Sequence, residues 1–434
     1  MLLVGAALAS VRVVGPQGGS AGGAGAPIAA ANLALAKVTP TARRDVNYAQ
    51  MDERLKRLVE KPSVVGVAVG IVENGRITYL NGYGETVAGS GDKVTPETVF
   101  RWASVSKGVA GTMVAKLAEQ GKVDLNGPLV NYAPGLKLPN GGEYRVTVRD
   151  LLSHRSGLPK HAFDNKLEEG QPVPLLKAQL ATVGLGCVPG TCWSYQNVAY
   201  DGASDIVAKA TGKTYQDTVR EQLFGPIGMT SATMTRDGLM TARSWARPHS
   251  AGRRPLEVTQ PYYDVPAAGG VNSNIKDMAL WLIAQAGGMP GVLSPKVLAT
   301  IHQPLVRTPS ERARLRKFLE RVGDAYYGLG WRTYNYAGHT IVGHRGGVNG
   351  YRSLILFDPQ LKSGVVALWN SNTNQPGGLE FEVMDMLYHL PFRDWLELNK
   401  VPGKVPTAPA EQPEEQPTTE VAQAGSGGGP ARGR

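Results

Sequence analysis

Strand-like runs stand at both ends of the foldable chain, with a long helical and loop-rich stretch between them. Few architectures accept that order. Residues 64–72 and 76–83 flank Asn74-Gly75, a dipeptide that favours a two-residue hairpin turn. Four further runs follow only at 327–334, 339–343, 351–358 and 364–370. Between the two sets, residues 104–120 carry Val109, Met113, Val114 and Leu117 at helical spacing and stop at Gly121. Helical patterns also lie at 51–60, 275–286 and 379–390, whereas 134–252 shows helices and loops with few strand runs. The pattern predicts an α+β fold: one antiparallel sheet assembled from both chain ends, flanked by helices, with a mostly helical insertion.

The organisation follows from composition. Residues 1–47 form a Gly/Ala-rich leader, and residues 398–434 a Pro, Glu, Gln and Gly tail expected to be disordered. Residues 48–133 and 253–397 are expected to form one discontinuous sheet domain, and 134–252 a mostly helical one. Hydrophobic residues make up 42% and charged residues 19% of the 434, which suits a globular enzyme. No apolar run of about 18 residues occurs, so no transmembrane helix is expected. The formal net charge is +10, but the positive residues are scattered. The densest run, Arg312, Arg314, Arg316, Lys317 and Arg321, is interleaved with Glu311 and Glu320 and reads as a surface helix. Nucleic acid is therefore not an expected partner, and the oligomeric state is left open.

Two features bear on location. The first ten residues are apolar with small residues suited to signal-peptide cleavage, but no basic segment precedes them. They are either a truncated export signal or no signal. Cys187 and Cys192 bracket a Pro189-Gly190 turn that brings their side chains close, so they form either a small disulfide loop or two small semi-buried residues. No matching histidines lie nearby for a zinc site, and neither a metal nor a cofactor is expected. Export to the periplasm or medium is the reading adopted, with the cytoplasm as the alternative.

Catalytic patterns narrow quickly. The chain has no His-Glu-x-x-His, no P-loop and no dinucleotide-type glycine fingerprint. Gly18-Gly19-Ser20-Ala21-Gly22 matches a nucleophile-elbow pattern but lies in the leader, without the strand and helix that motif requires. Ser-x-x-Lys occurs three times. Ser90/Lys93 sits in a Gly-rich loop, and Ser273/Lys276 opens a helix where Ser273 or Asn274 reads as an N-cap. Ser104/Lys107 instead follows an apolar run and opens the long apolar helix. Positions i and i+3 share a helix face, so Lys107 can approach the Ser104 hydroxyl and serve as its proton acceptor. The competing reading is a capping serine followed by a surface lysine. Tyr195-Gln196-Asn197 comes just after the cysteine loop, and His344-Arg345-Gly346-Gly347 ends one strand before the next opens at Tyr351. A tyrosine beside a cation can act as acid or base. Each motif alone is weak: Tyr79-Leu80-Asn81 also matches the second.

In this order and spacing the motifs resemble the class C β-lactamase family and its penicillin-binding DD-peptidase, D-aminopeptidase and esterase relatives. Residues 100–107 look like the first motif, Tyr195-Gln196-Asn197 like the second, and His344-Arg345-Gly346 like the third. The stretch 146–158 is similar as well, and the resemblance covers roughly residues 50–395. It implies an antiparallel sheet with a helical domain and a site between them. It further implies Ser104 as nucleophile, Lys107 as its activator, Tyr195 as acid and base, and Asn197 as a polar substrate contact. The backbone N–H groups of Gly347 and Ser104 would form the oxyanion hole, beside Gly346. His344 would supply the charge that a lysine supplies in the lactamases. Histidine and arginine in place of Lys-Thr make an ester, amide or peptide a more expected substrate than a β-lactam. A carboxylesterase or D-residue peptidase is favoured over a class C-type β-lactamase or DD-carboxypeptidase, and a catalytically silent cell-wall-peptide binder is the alternative from another class. Arg345 would either bind a substrate carboxylate or point to solvent. His154 reads as a structural turn residue, Trp102 and Trp193 as packing, and Tyr262, Tyr263, Tyr326 and Tyr327 as pocket lining or packing.

Overall fold

The computed structural model describes residues 46–399. The leader with its apolar first ten residues, and the tail from residue 400, lie outside the described residues. Ten strands form among the described residues: β1 Gly66–Glu73, β2 Arg76–Gly84, β3 Phe100–Arg101, β4 Asn272–Ser273, β5 Val306–Arg307, β6 Val322–Tyr327, β7 Arg332–Tyr336, β8 His339–Val348, β9 Tyr351–Asp358 and β10 Ser363–Trp369. Eight of them make one antiparallel sheet in the order β2-β1-β10-β9-β8-β7-β6-β5, and β3 pairs with β4 apart from it. Val67 of β1 faces Tyr83 on one side and Trp369 on the other, so the two chain ends share one sheet. The α+β expectation holds.

Helices cover both faces of the sheet. Val67, Val69 and Ile71 of β1 enter a core with Leu55 and Leu58 of helix α1 (Tyr48–Val59) and Met384 of the helix Leu379–Leu387. The alternate residues Ala68 and Val72 enter the opposite core, with helix α2 (Ser106–Glu119) and the helix Ile275–Gln285. Burial on both faces explains why β1 is an almost continuous apolar run. The second core runs on without a break under residues 134–252, a succession of short helices of which Gly202–Thr211 is the longest.

Three local departures from the sequence reading shape the site. The run expected at 327–334 is two strands, because Gly328-Leu329-Gly330 turns between β6 and β7. Gly330 is left-handed (φ +80), and a Cβ there would collide with the Lys107 carbonyl. Strand β8 runs on to Val348 and pairs with β7 only as far as Gly343, so residues 344–348 have a strand on one side only. The expected helix 104–120 begins as a 3-10 turn, Ala103–Val105, before α2. Ala103 is left-handed (φ 49), and no side chain caps this turn. The basic run near 312–321 is a short helix, Pro309–Arg314, and a 3-10 turn, with Glu311 and Glu320 bound to Arg314 and Arg321.

Candidate active site

The site grows from the entry to α2. From Thr98 to Ala115 every residue is buried except Ser104, which the 3-10 turn brings to the surface of a cleft. Its hydroxyl has no hydrogen-bond partner among the described residues. The Trp102 ring below donates from Nε1 to Ser273 Oγ (2.9 Å), confirming Trp102 as packing, while Asn274 caps the next helix. Strand β8 lies directly against this turn: a Cβ on Gly346 would strike the Trp102 carbonyl and Ser353 Oγ, so only glycine lets the strand approach. Gly347, one residue on, is exposed.

Lys107, the second residue of α2, is fully buried. Its Nζ donates to Asn197 Oδ1 (2.6 Å) and Ala268 O (3.0 Å), and lies 4.6 Å from the Tyr195 ring centre. The amine thus sits at Tyr195 and Asn197, with no hydrogen bond to Ser104. Asn197 passes the link on: its Nδ2 donates to Asp164 Oδ2 (2.7 Å), so both ends of its amide are engaged by protein. The same Asp164 oxygen is 2.6 Å from His161 Nδ1. His161 and Asp164 were not singled out from sequence. Their only signal is a His-x-x-Asp spacing at a short helix start, which is too common to notice.

Behind Tyr195 runs a second chain. Gln196 N–H donates to His154 Nδ1 (3.1 Å), which places the His154 proton on Nε2. That nitrogen donates to Tyr327 Oη (3.2 Å), whose hydroxyl donates to His344 Nε2 (3.0 Å). His344 Nδ1–H then donates to the Arg345 carbonyl (2.7 Å). Both ends are backbone groups, so every proton has one place. Burial, with Lys107 and Arg332 adding to it, holds His154 well below the usual histidine range. Burial followed by Arg332 and Lys107 does the same to His344. This corrects the positive charge expected from His344: burial first, then Arg332, Lys107 and Arg314, disfavour a protonated ring there, and its Nε2 accepts the Tyr327 hydroxyl. Arg345 lines the larger cavity and does not simply point to solvent. Its guanidinium pairs with the Glu380 carboxylate, between the rings of Phe318 and Phe381. His154, left-handed at φ 58, is a turn residue whose ring centre lies 4.4 Å from that of Tyr195.

Two adjoining cavities, of about 970 and 340 Å³, share Ser104, His161, Tyr195, Gly347 and Val348 in their walls. Arg314, Lys317, Arg332 and Arg352 line the larger one, with Trp193 under Arg332; Asp164, Glu168 and Tyr262 line the smaller. Trp193 is thus cleft wall as well as packing. Tyr263 is buried against Arg101, and Tyr327 belongs to the chain above. Cys187 is joined to Cys192, with Cα atoms 6.4 Å apart. Their loop is tied to the 153–157 turn by Gly190 N to Arg155 O and Gly186 N to Gly157 O (2.8 and 2.9 Å). Among the described residues no His, Cys, Asp and Glu cluster could hold a metal ion, and no helix is long and apolar enough to cross a membrane.

A model of the Beta-lactamase family matches residues 51–385. The chain belongs to that family. Among its relatives, the Unguisins hydrolase ungD' of Aspergillus campestris is 28% identical over 356 residues, 78% of this chain and 64% of that protein. Protein flp of Staphylococcus aureus strain N315 is 25% identical over 330 residues, 75% of this chain and 63% of its own length. The chain thus spans a little under two thirds of the curated relatives it matches. A solved structure, an octameric penicillin-binding protein homologue from Pyrococcus abyssi, shares the fold with a TM-score of 0.70. That match has 23% identity and covers 80% of this chain and 78% of that one. Membership supports serine hydrolase chemistry in general for the Beta-lactamase-family cleft.

Proposed function

We propose that this family member is a serine acyl hydrolase, acting on an ester or amide as a carboxylesterase or D-residue peptidase. The observation that carries the reading is the exposure of Ser104 alone in a buried run, in one cleft with Tyr195 and with Lys107 beneath it. In this mechanism Ser104 Oγ attacks the carbonyl while Tyr195, held against Lys107, accepts its proton and passes it to the leaving group. The Ser104 and Gly347 N–H groups hold the oxyanion. Water then releases the acyl group, and no cofactor takes part. The naming of one relative as a hydrolase supports bond cleavage over silent binding. The neutral His344 and the paired Arg345 leave the third motif without a free cation for a β-lactam carboxylate, which favours esters and amides. The Cys187–Cys192 bridge supports an exported protein, since disulfides persist in oxidising compartments.

A fluorophosphonate probe with peptide mapping, followed by p-nitrophenyl esters, D-amino acid amides and nitrocefin, tests the proposal. Labelling at Ser104 and turnover of an ester or amide are expected. Nitrocefin turnover above ester turnover would reverse the substrate ranking, and an unlabelled, inactive protein would favour the silent binder.

A further inference from the structure

We propose that His161 is the general base of the deacylation step, taking the proton of the water that attacks the Ser104 acyl ester. The proposal rests on the serine-hydrolase reading above. Three histidines surround the cleft. His154 and His344 have both ring nitrogens committed and are buried. His161 differs on each count. Its Nδ1 is held by Asp164 Oδ2, which leaves the Nε2 lone pair without a protein partner among the described residues. Its side chain is 45% exposed, so water reaches it. It lines both cavities beside Ser104, with its ring centre 5.5 Å from that of Tyr195.

The surroundings fix this placement. The His161 backbone is left-handed (φ 59), an uncommon state for a residue with a Cβ, and its N–H donates to the Tyr195 carbonyl (2.9 Å). Asp164 is itself held by Asn197, and through it by Lys107. A carboxylate on Nδ1 orients the ring and stabilises the imidazolium that forms when Nε2 takes a proton. Lys107, with its Nζ committed to two carbonyl oxygens, is less free to meet a water.

The step balances without another reactant. As water oxygen bonds to the acyl carbonyl carbon, its proton passes to His161 Nε2. The tetrahedral intermediate then collapses, the carbon–Ser104 Oγ bond breaks, and Oγ takes that proton back. The products are the carboxylic acid and free Ser104.

The test is stopped-flow hydrolysis of a p-nitrophenyl ester by the full chain and its His161→Gln and His161→Ala variants, with intact-mass analysis. Each variant is expected to give a burst of nitrophenol followed by a steady state ~10²-fold or more below wild type. The acyl adduct on Ser104 should accumulate in the variants, and added imidazole should restore turnover of H161A without accelerating wild type. Fluorophosphonate labelling of the variants at Ser104 shows that they are folded. A steady state within threefold of wild type, or slowing without acyl accumulation, overturns the proposal while the serine-hydrolase reading stands. Wild type that never acylates at Ser104 overturns both.

Discussion

Ser104 caps no helix and its hydroxyl binds no neighbour, so its side chain contributes little to the fold. Ser104→Ala should abolish fluorophosphonate labelling yet shift unfolding free energy by less than the ~1 kcal/mol of a lost cap, measured by urea titration. Retained turnover would remove Ser104 from the mechanism. Tyr195→Phe should lower turnover ~10²-fold or more; a drop below threefold across the pH range would make Tyr195 a packing residue. Tyr327→Phe strips the partner from two buried imidazole nitrogens, on His154 and His344. It should cost about 1–3 kcal/mol for each group left unsatisfied, and a loss below 0.5 kcal/mol by urea titration would mean the chain rearranges around the gap. That Ser104, Lys107 and Tyr195 would meet is legible in the sequence, because the combination and order of three short motifs marks them together where each alone is weak. Tyr327 and His161 are not, because what they do is set by partners such as His154, 173 residues from Tyr327, and by a left-handed backbone at a residue that is not glycine.

Among elements, the disulfide loop shows best how local geometry reaches the site. It leans on the turn that carries His154, and Ser194 N–H donates back to the His154 carbonyl (2.8 Å), one residue before Tyr195. So short a loop restricts the unfolded chain by less than the ~3 kcal/mol of a 15-residue one. Cys187→Ser with Cys192→Ser, or reduction, should therefore lower turnover more than it lowers Tm. Thiol alkylation with mass spectrometry checks the bridge in the isolated protein, and two freely alkylated cysteines would mean it does not form. Element reading from sequence was accurate where periodicity was long, as in α2 and the hairpin. It failed at 327–334, where Gly328 and Gly330 break an apolar run, and at β3, β4 and β5, two-residue strands that carry no period at all.

At the scale of the molecule, several histidines are buried neutral. His302 is pushed down to about 3 by burial, and His154 and His344 lie well below the usual range. Above pH ~6.5 neither state charges them, and they carry no penalty. Below it the unfolded chain takes up protons that the folded one refuses, so stability falls as pH drops from ~6.5 towards about 3. Each such group contributes a slope of up to ~1.4 kcal/mol per pH unit. Urea titrations at pH 7 and pH 5 should show that loss, and His302→Gln should lessen it by one histidine's share; a pH-independent midpoint over this range would mean these rings are charged when folded.

The pairing of Val67 with Trp369 sets a timetable as well as a shape. At the ~5–20 residues per second of ribosomal synthesis, the partner of β1 is made on the order of 15–60 s after β1 itself. For that interval an almost wholly apolar strand has only β2 beside it, its other edge open to any chain that reaches it first. Shielding that edge while the last strand is still being made should therefore raise the folded yield, and chains cut short before Ser363 should accumulate as aggregates rather than as a smaller folded protein.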